Sequence, residues 1–157
     1  MSELPIIIDT REQTPFDFAG YTSNISSKAL NTGDYSLEGF EDKITIERKS
    51  IGDLASCMTI GRDRFCRELE RMREFESAAV IVEQPLNTIT NGNYRSNLNP
   101  VSFEQSILSF IIKYRVPFLF GKNRKHASWL CFNCLRHYWN AKQIKASKKV
   151  QYIQFKS

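Results

Sequence analysis

The six residues Ile44–Lys49 (ITIERK) constrain the fold more than any other stretch of the chain. Isoleucine alternates with threonine here, and a β-branched alternating run predicts a strand with one buried face. Successive side chains of a strand point to opposite faces. The sequence therefore predicts that Glu47 and Lys49 share one face and that Arg48 points to the other.

A carboxylate and a lysine on one face at a strand end suit hydrolytic chemistry. Glu47 can hold a hard divalent cation, and the Lys49 ammonium can orient a water molecule or help to deprotonate it. Asp34 follows Gly33, which permits a close approach of the backbone. A hairpin-type turn predicted over residues 38–43 brings Asp34 opposite Glu47 on adjacent strands, so we expect Asp34 to be a second ligand.

A third acidic residue ends the apolar strand predicted over Pro5–Asp9. An acid at the tip of such a strand favours a metal ligand, although an aspartate there can also form a turn. The downstream acids favour the functional interpretation of Asp9. Arg11 and Glu12 come next, and they either support the site or form an ion pair with each other.

Three spaced motifs resemble the signature of the XPF nuclease family. The first is Asp9 followed by Arg11 and Glu12. The second is a GD pair. The third, after a variable gap, is an ERK tripeptide followed by three residues and an aspartate. The residues of the second and third motifs are Gly33, Asp34, Glu47, Arg48, Lys49 and Asp53. The resemblance covers residues 5–84 well and the remainder loosely, and it implies the restriction-endonuclease-like fold.

The resemblance also implies how such a site works. Its metal ligands are expected to be Asp9, Asp34 and Glu47, holding one or two Mg²⁺ or Mn²⁺ ions. Lys49 is expected to position the attacking water and to stabilise charge that develops on the phosphate. Arg48 points to the opposite face of the strand and is expected either to support the site or to pair with Asp53 or another acid. Asp53 either caps the following helix or helps to organise the metal site.

The substrate and partners implied by the resemblance are branched DNA, such as flaps and forks, and a second copy of the chain. Family members pair through their later helices, and the apolar residues Trp129, Leu135 and Trp139 fit either that role or an ordinary core helix. Members usually carry a helix-hairpin-helix or helicase region, whose motifs are missing here. An accessory DNA-binding protein or helicase is therefore expected, and a stand-alone nuclease suits a phage or prophage.

The function implied by these motifs is that of a metal-dependent DNA endonuclease that acts on branched or otherwise structured DNA in repair or recombination. A non-cleaving DNA-binding or partner subunit with the same fold is the alternative function. The intact acids and Lys49 argue against it, since a degenerate copy should have lost at least one of them. Divalent-metal binding that disappears in Glu47→Gln separates the two functions.

Charge is divided unevenly along the chain. All 17 acidic residues lie at or before Glu104, so residues 1–104 carry a net charge of −6 and residues 105–157 one of +11. This division fits a metal-dependent enzyme that acts on a polyanion, whereas the alternative is a merely solvated basic surface.

Arginines recur along the helix predicted after Gly61, where they can follow a phosphate backbone or pair with glutamates of the same helix. Gly61-Arg62 also resembles a family motif that a glutamine often follows, and Glu68 lies nearest that position. The residues predicted to bind DNA are Arg62, Arg64, Arg67, Arg71, Lys122, Arg124 and Lys125.

The order of patterns predicts two strands, a hairpin, two helices, a strand, a helix, a strand and a helix in one domain. This order predicts an α/β fold with a central mixed sheet and helices on both faces. The catalytic core is expected over about 5–84 and a basic helical part over about 101–157. Ser102 begins a sequence typical of a capping box, and a last helix is predicted over about 124–142. Residues 150–155 alternate between apolar and polar, which predicts either an edge strand or a segment that pairs with a partner.

The four cysteines are too few for a dense disulfide framework. Cys131 and Cys134 lack the second ligand pair that a zinc site requires, so we expect free thiols in the core. No apolar run reaches the length of a membrane span, and the N-terminus has no signal pattern. A cytoplasmic protein is expected, near the nucleoid in a bacterium or in the host cytoplasm for a phage protein.

Overall fold

A six-stranded mixed sheet forms the centre of the protein, whose computed structural model describes the backbone of residues 3–154 and the side chains of residues 3–149. The strands lie in the order β2-β1-β3-β4-β5-β6. The pairs β1–β3 and β3–β4 are antiparallel, and the other three pairs are parallel. The strands are β1 (Ile6–Asp9), β2 (Ile25–Lys28), β3 (Tyr35–Leu37), β4 (Ile44–Lys49), β5 (Ser77–Val82) and β6 (Phe118–Phe120).

Helices cover both faces of this sheet, as the sequence predicted. Side chains of α1, α2 and α4 form one hydrophobic cluster with β5 and β6, and α5 packs on the other face against β1, β3 and β4. The helices are α1 (Ile51–Met58), α2 (Arg62–Arg73), α3 (Asn87–Thr90), α4 (Pro100–Tyr114) and α5 (Arg124–Gln154). Within the described residues, no helix combines the length and the apolar character needed to cross a membrane.

The side chains of β4 alternate between the two faces of the sheet. Ile44 and Ile46 are buried in the cluster beneath α5. Thr45, Glu47 and Lys49 alternate with them and so point towards the α1 and α2 side. This alternation decides which face of the sheet carries the acidic and basic groups at the strand end.

The start of α4 and the presence of α3 differ from the sequence prediction. Helix α4 begins at the cap Asn99, whose Oδ1 accepts hydrogen bonds from the amides of Val101 and Ser102. Ser102 is therefore inside the first turn, because Asn99 followed by proline provides the earlier start. The short α3 is an element that the predicted order of strands and helices does not contain.

The prediction of an edge strand over residues 150–155 is wrong for residues 150–154. Helix α5 continues without a break to Gln154, and Phe155 lies outside the described residues. An established helix gains one hydrogen bond for each added residue, and this propagation outweighs a short alternating pattern.

The face of α5 that meets the sheet is core. Ala127, Cys131 and Leu135 have no exposed surface, and Trp139 packs edge-to-face on Phe40 with 5.9 Å between ring centroids. Leu135 and Trp139 thus contribute to the core of this chain. The cysteines are free thiols, as expected.

Candidate active site

The motif residues of β3 and β4 meet at one end of the sheet. The amide of Asp34 donates to the carbonyl of Ile46 at 2.8 Å, and the amide of Arg48 donates to Asp34 Oδ2 at 2.8 Å. Lys49 Nζ lies 2.6 Å from Glu47 Oε1. The predicted common face of Glu47 and Lys49, and the position of Asp34 across from them, are both confirmed.

Gly33 makes the close approach of Asp34 possible. Its φ is +80°, and a Cβ at this position would lie 1.9 Å from Thr45 Oγ1. Thr45 Oγ1 itself donates to the carbonyl of Thr32 at 2.9 Å. Only a residue without a side chain fits here, so the GD pair of the motif has a steric reason.

Two open pockets flank Glu47 and Lys49, and we call them the acidic pocket and the lysine pocket. The acidic pocket has a volume of about 260 Å³ and the lysine pocket one of about 590 Å³. The acidic pocket is lined by Asp9, Arg11, Asn31, Thr32, Gly33, Asp34, Glu47, Glu68 and Arg71. The lysine pocket is lined by Arg11, Gln13, Lys49, Asp53, Ser56, Cys57, Gly61 and Arg64.

Glu68 was not among the predicted site residues, and the sequence marked it only as the residue nearest the glutamine of a family motif. It reaches the acidic pocket from α2, and its Oε2 lies 3.9 Å from Lys49 Nζ. The sequence signal for Glu68 was its position at the border of the buried face of α2, three residues after Phe65 and directly before Leu69. A helical period locates such a residue near the core, but not near β4.

The acids of the pocket titrate abnormally because they are buried together. Burial raises the pKa of Asp34 to about 6, with a smaller opposing effect from the Arg48 amide and further increases from Glu12 and Glu68. Burial and the charge of Asp34 raise the pKa of Glu47 well above its usual value. This excess of buried negative charge favours a bound cation.

Lys49 remains an ammonium in this environment. Burial acts to lower the pKa of Lys49, but the charges of Glu47 and Glu68 outweigh burial and place it above the usual value. The ring of Phe65 lies 5.3 Å below the ammonium. A charged Lys49 suits stabilisation of a phosphate more than removal of a proton from water.

Asp9 also lines the acidic pocket, but with both carboxylate oxygens engaged. Oδ2 accepts from Arg11 Nε at 2.9 Å, and Oδ1 accepts from the amide of Leu30 at 2.8 Å. These hydrogen bonds outweigh the effect of burial and hold the pKa of Asp9 below its usual value. Arg11 therefore pairs with Asp9, so the suggested pair between Arg11 and Glu12 is wrong.

The Arg48 side chain lies on the other face of the sheet, as its position in the strand predicted, and it pairs with acids there. Its guanidinium makes two 2.9 Å hydrogen bonds to Glu12 and one of 2.9 Å to Glu83 Oε1. Glu83, which follows β5, thus belongs to this supporting network. Asp53 is exposed beside the lysine pocket, while Ser50 caps α1 by accepting from the amide of Asp53 at 3.1 Å.

The residues predicted to bind DNA fall into two groups. Arg64, Arg67 and Arg71 are exposed on α2, and Lys122 and Lys125 are exposed near the start of α5. Arg62 instead lies over the ring of Phe110 at 4.8 Å and donates to Ser106 Oγ at 3.2 Å. Arg124 is held by Glu83 and by the carbonyls of Thr14 and Pro15.

Carboxylate oxygens are the ligands that Mg²⁺ and Mn²⁺ prefer. Within the described part of the chain, no group of three or more His, Cys, Asp or Glu side chains is arranged to hold a metal ion. Mg²⁺ usually binds one or two carboxylates and completes its coordination with water and substrate phosphate. Asp34 and Glu47 fit that mode of binding.

Solved structures of an archaeal protein have the same fold. XPF from Aeropyrum pernix matches with a TM-score of 0.67 and 22% identity, over 85% of this chain and 60% of that chain. XPF from the same organism in complex with DNA matches with a TM-score of 0.68 and 23% identity, over 88% of this chain and 66% of that chain. The expected restriction-endonuclease-like fold is confirmed.

The chain therefore belongs to the class of proteins with the restriction-endonuclease-like fold. The family model described as the ERCC4 domain matches residues 8–132. The chain belongs to the ERCC4 domain family, which confirms its resemblance to the XPF nucleases.

A curated relative places a similar sequence in a much longer protein. A protein of Methanocaldococcus jannaschii, named as an ATP-dependent RNA helicase, is 29% identical over 125 residues. The match covers 80% of this chain and 14% of that protein. The chain therefore corresponds to a small part of this relative.

Proposed function

We propose that this chain is a metal-dependent DNA endonuclease that acts on branched or otherwise structured DNA. The observation that carries this proposal is the pair of adjacent pockets of opposite character, with Glu47 in one and Lys49 in the other. A divalent cation needs acidic surroundings and a phosphate needs basic ones, and hydrolysis requires the two sites to lie close together.

The acidic pocket is the proposed cation site. Asp34 and Glu47 are the proposed ligands, with Asp9 a third once its bonds to Arg11 rearrange. A divalent cation bound there supplies Lewis-acid activation of the phosphate and lowers the pKa of a water. Glu68 adds negative charge beside these ligands.

The lysine pocket is the proposed phosphate site. Lys49 stabilises the charge that develops on the phosphate oxygens, and its bond to Glu47 holds the ammonium at the border of the two pockets. Arg11 lines both pockets, and Arg64 lines the lysine pocket, so both can orient the DNA backbone. Hydrolysis forms a phosphorus–oxygen bond to water and breaks the bond to one nucleotide oxygen.

DNA is the proposed substrate because a phosphate-rich strand fits the exposed arginines of α2. Arg64, Arg67 and Arg71 are exposed there, and the structural neighbour from A. pernix is described in complex with DNA. The preference for branched DNA is supported by the family to which the chain belongs. The helicase name of the M. jannaschii relative supports an accessory helicase as a partner.

We also propose a homodimer that pairs through α5. Trp129 on α5 is 46% exposed, whereas Leu135 belongs to the core. Light scattering at micromolar concentration tests this association, and a monomer there rejects it.

A cleavage panel tests the proposed function. Labelled duplex, single strand, splayed arm, 3′ flap, 5′ flap and four-way junction are incubated with Mg²⁺, Mn²⁺ or EDTA, using wild type, Lys49→Ala and Asp34→Asn. The expected result is metal-dependent nicking of a branched substrate, reduced at least about a hundredfold in both variants. Tight, salt-sensitive binding without nicking by the wild type would instead identify a DNA-binding subunit.

A further inference from the structure

Arg124 begins α5, and its guanidinium is held by other parts of the chain. It pairs with Glu83, and its Nη2 donates to the carbonyls of Thr14 at 2.5 Å and Pro15 at 2.8 Å. The guanidinium carbon also lies 5.4 Å from the centre of the Phe16 ring. Three acceptors and an aromatic face determine its position, although its side chain is 44% exposed.

Glu83 connects Arg124 to Arg48. Its Oε1 accepts from both guanidinium groups, with Arg48 Nη1 at 2.9 Å. Both arginines also bind Thr14, in the loop that follows β1. Arg124 donates to the Thr14 carbonyl, and Arg48 Nη2 donates to Thr14 Oγ1 at 2.8 Å. Arg124 and Arg48 are therefore coupled through an acid and through a shared loop residue.

The charges of this network balance only when Arg124 is included. Two carboxylates, Glu12 and Glu83, share the two guanidinium groups. Their side chains are 4% and 15% exposed, so solvent compensates little of their charge. Without Arg124, both acids depend on Arg48, and Arg48 is drawn towards Glu83 and away from Thr14.

We propose that Arg124 is a positioning residue for the active site, an inference that rests on the proposed nuclease function. Arg124 fixes Glu83 and Thr14, and these fix the Arg48 side chain. The Arg48 amide donates to Asp34 Oδ2, and its chain neighbours are Glu47 and Lys49. A shift of Arg48 therefore displaces groups in both pockets, although Arg124 lies on the opposite side of the sheet.

The substitution Arg124→Lys separates this role from a direct contact with DNA. Lysine keeps the positive charge that a phosphate contact needs, but one ammonium cannot reproduce the planar fork that binds Glu83 and two carbonyls. Arg136→Lys is the matched control, because Arg136 is exposed on the same helix and lies over the Phe132 ring at 5.8 Å. Glu83→Gln is a second variant, which removes the shared charge with little change in shape.

Three quantities are measured for each variant. They are the single-turnover cleavage rate at saturating DNA, the DNA dissociation constant with Ca²⁺ at several salt concentrations, and the hydrogen-exchange rate of the Arg48 amide in EDTA. For Arg124→Lys and Glu83→Gln, the cleavage rate is expected to fall about tenfold at an unchanged dissociation constant, because the reacting groups are misplaced. The Arg48 amide is expected to exchange about tenfold faster, since its bond to Asp34 opens more often.

The control Arg136→Lys is expected to match the wild type in all three quantities. The inference is overturned if Arg124→Lys retains the wild-type cleavage rate and Arg48 exchange rate. It is also overturned if DNA binding weakens at an unchanged saturated rate, which identifies a DNA contact. If the wild type cleaves nothing, the proposed function fails, and the Arg48 exchange rate still decides whether Arg124 positions this strand end.

Discussion

The amide of Arg48 donates to Asp34 Oδ2 at 2.8 Å, while the Arg48 side chain binds Glu12 on the other face of the sheet. One residue of β4 thus connects the acidic pocket with a buried charge network. The main chain makes this connection possible, because its amide lies in the plane of the sheet and its side chain leaves that plane.

Replacement of Arg48 by alanine is expected to destabilise the protein by about 3 to 5 kcal/mol, because it leaves buried carboxylates without their partner. The affected acids are Glu12 and Glu83, whose side chains are 4% and 15% exposed. Urea denaturation measures the change in the free energy of unfolding. Arg67→Ala on exposed α2 is the control and is expected to change it by less than about 0.5 kcal/mol. Equal losses in the two variants would contradict a structural role for the Arg48 pairs.

Gly33→Ala is expected to be far more destabilising than Gly39→Ala. Both glycines have a similar positive φ, +80° and +81°, so both substitutions carry the same conformational cost. Only at Gly33 does the new methyl group meet Thr45 Oγ1, whereas nothing lies within 4 Å of it at Gly39. The additional loss at Gly33 is expected to be about 1 to 3 kcal/mol, as for other overpacked sites.

Thermal unfolding measures both glycine variants. Gly33→Ala is also expected to weaken binding of Mn²⁺, since the displaced backbone carries Asp34 with it. Similar melting temperatures for the two variants would show that the chain relaxes around Thr45.

Asp34 is expected to make the metal-free protein less stable as the pH rises. Burial raises its pKa from 3.8 to about 6 in the folded state, so the folded chain binds more protons than the unfolded chain between these values. Stability therefore falls through this pH range, by at most about 3 kcal/mol at about 1.4 kcal/mol for each pKa unit.

The contribution of Asp34, which includes its effect on the pKa of Glu47, is measured as the difference between wild type and Asp34→Asn in EDTA, from urea denaturation between about pH 4 and pH 7. This difference removes the opposite contributions of Asp9 and Glu12, whose pKa values are lowered. The free energy of unfolding of Asp34→Asn, minus that of the wild type, is expected to increase with pH. Parallel curves for the two proteins would rule out a raised pKa for Asp34.

Glu68→Gln is expected to weaken Mn²⁺ binding about tenfold, as is usual when a residue that supports metal ligands is removed. Its carboxylate lines the acidic pocket and raises the pKa of Asp34. Glu70→Gln on the same helix is the control, because Glu70 is exposed. Calorimetry at pH 7.5 measures the affinities, and equal affinities for the two variants would remove Glu68 from the site.

Short-range pattern was enough to locate β4, the face shared by Glu47 and Lys49, and the glycine before Asp34. Each of these depends on backbone geometry within a few residues. Glu68 was not among the predicted site residues, and the prediction for Arg124 was a contact with DNA. The contacts that Glu68 and Arg124 make within the chain join residues far apart in the sequence, such as Arg124 with Thr14, which periodicity does not encode.

Alternation within β4 alone determined that Arg48 turns away from Glu47 and Lys49, because a strand has only two faces. Which groups those two faces meet was decided by the tertiary structure. The packing of α2 brings Glu68 to Lys49, and the packing of α5 brings Arg124 to Glu83. Burial then raises the pKa of Asp34, since desolvation depends on everything packed around a group and not on its neighbours in the chain.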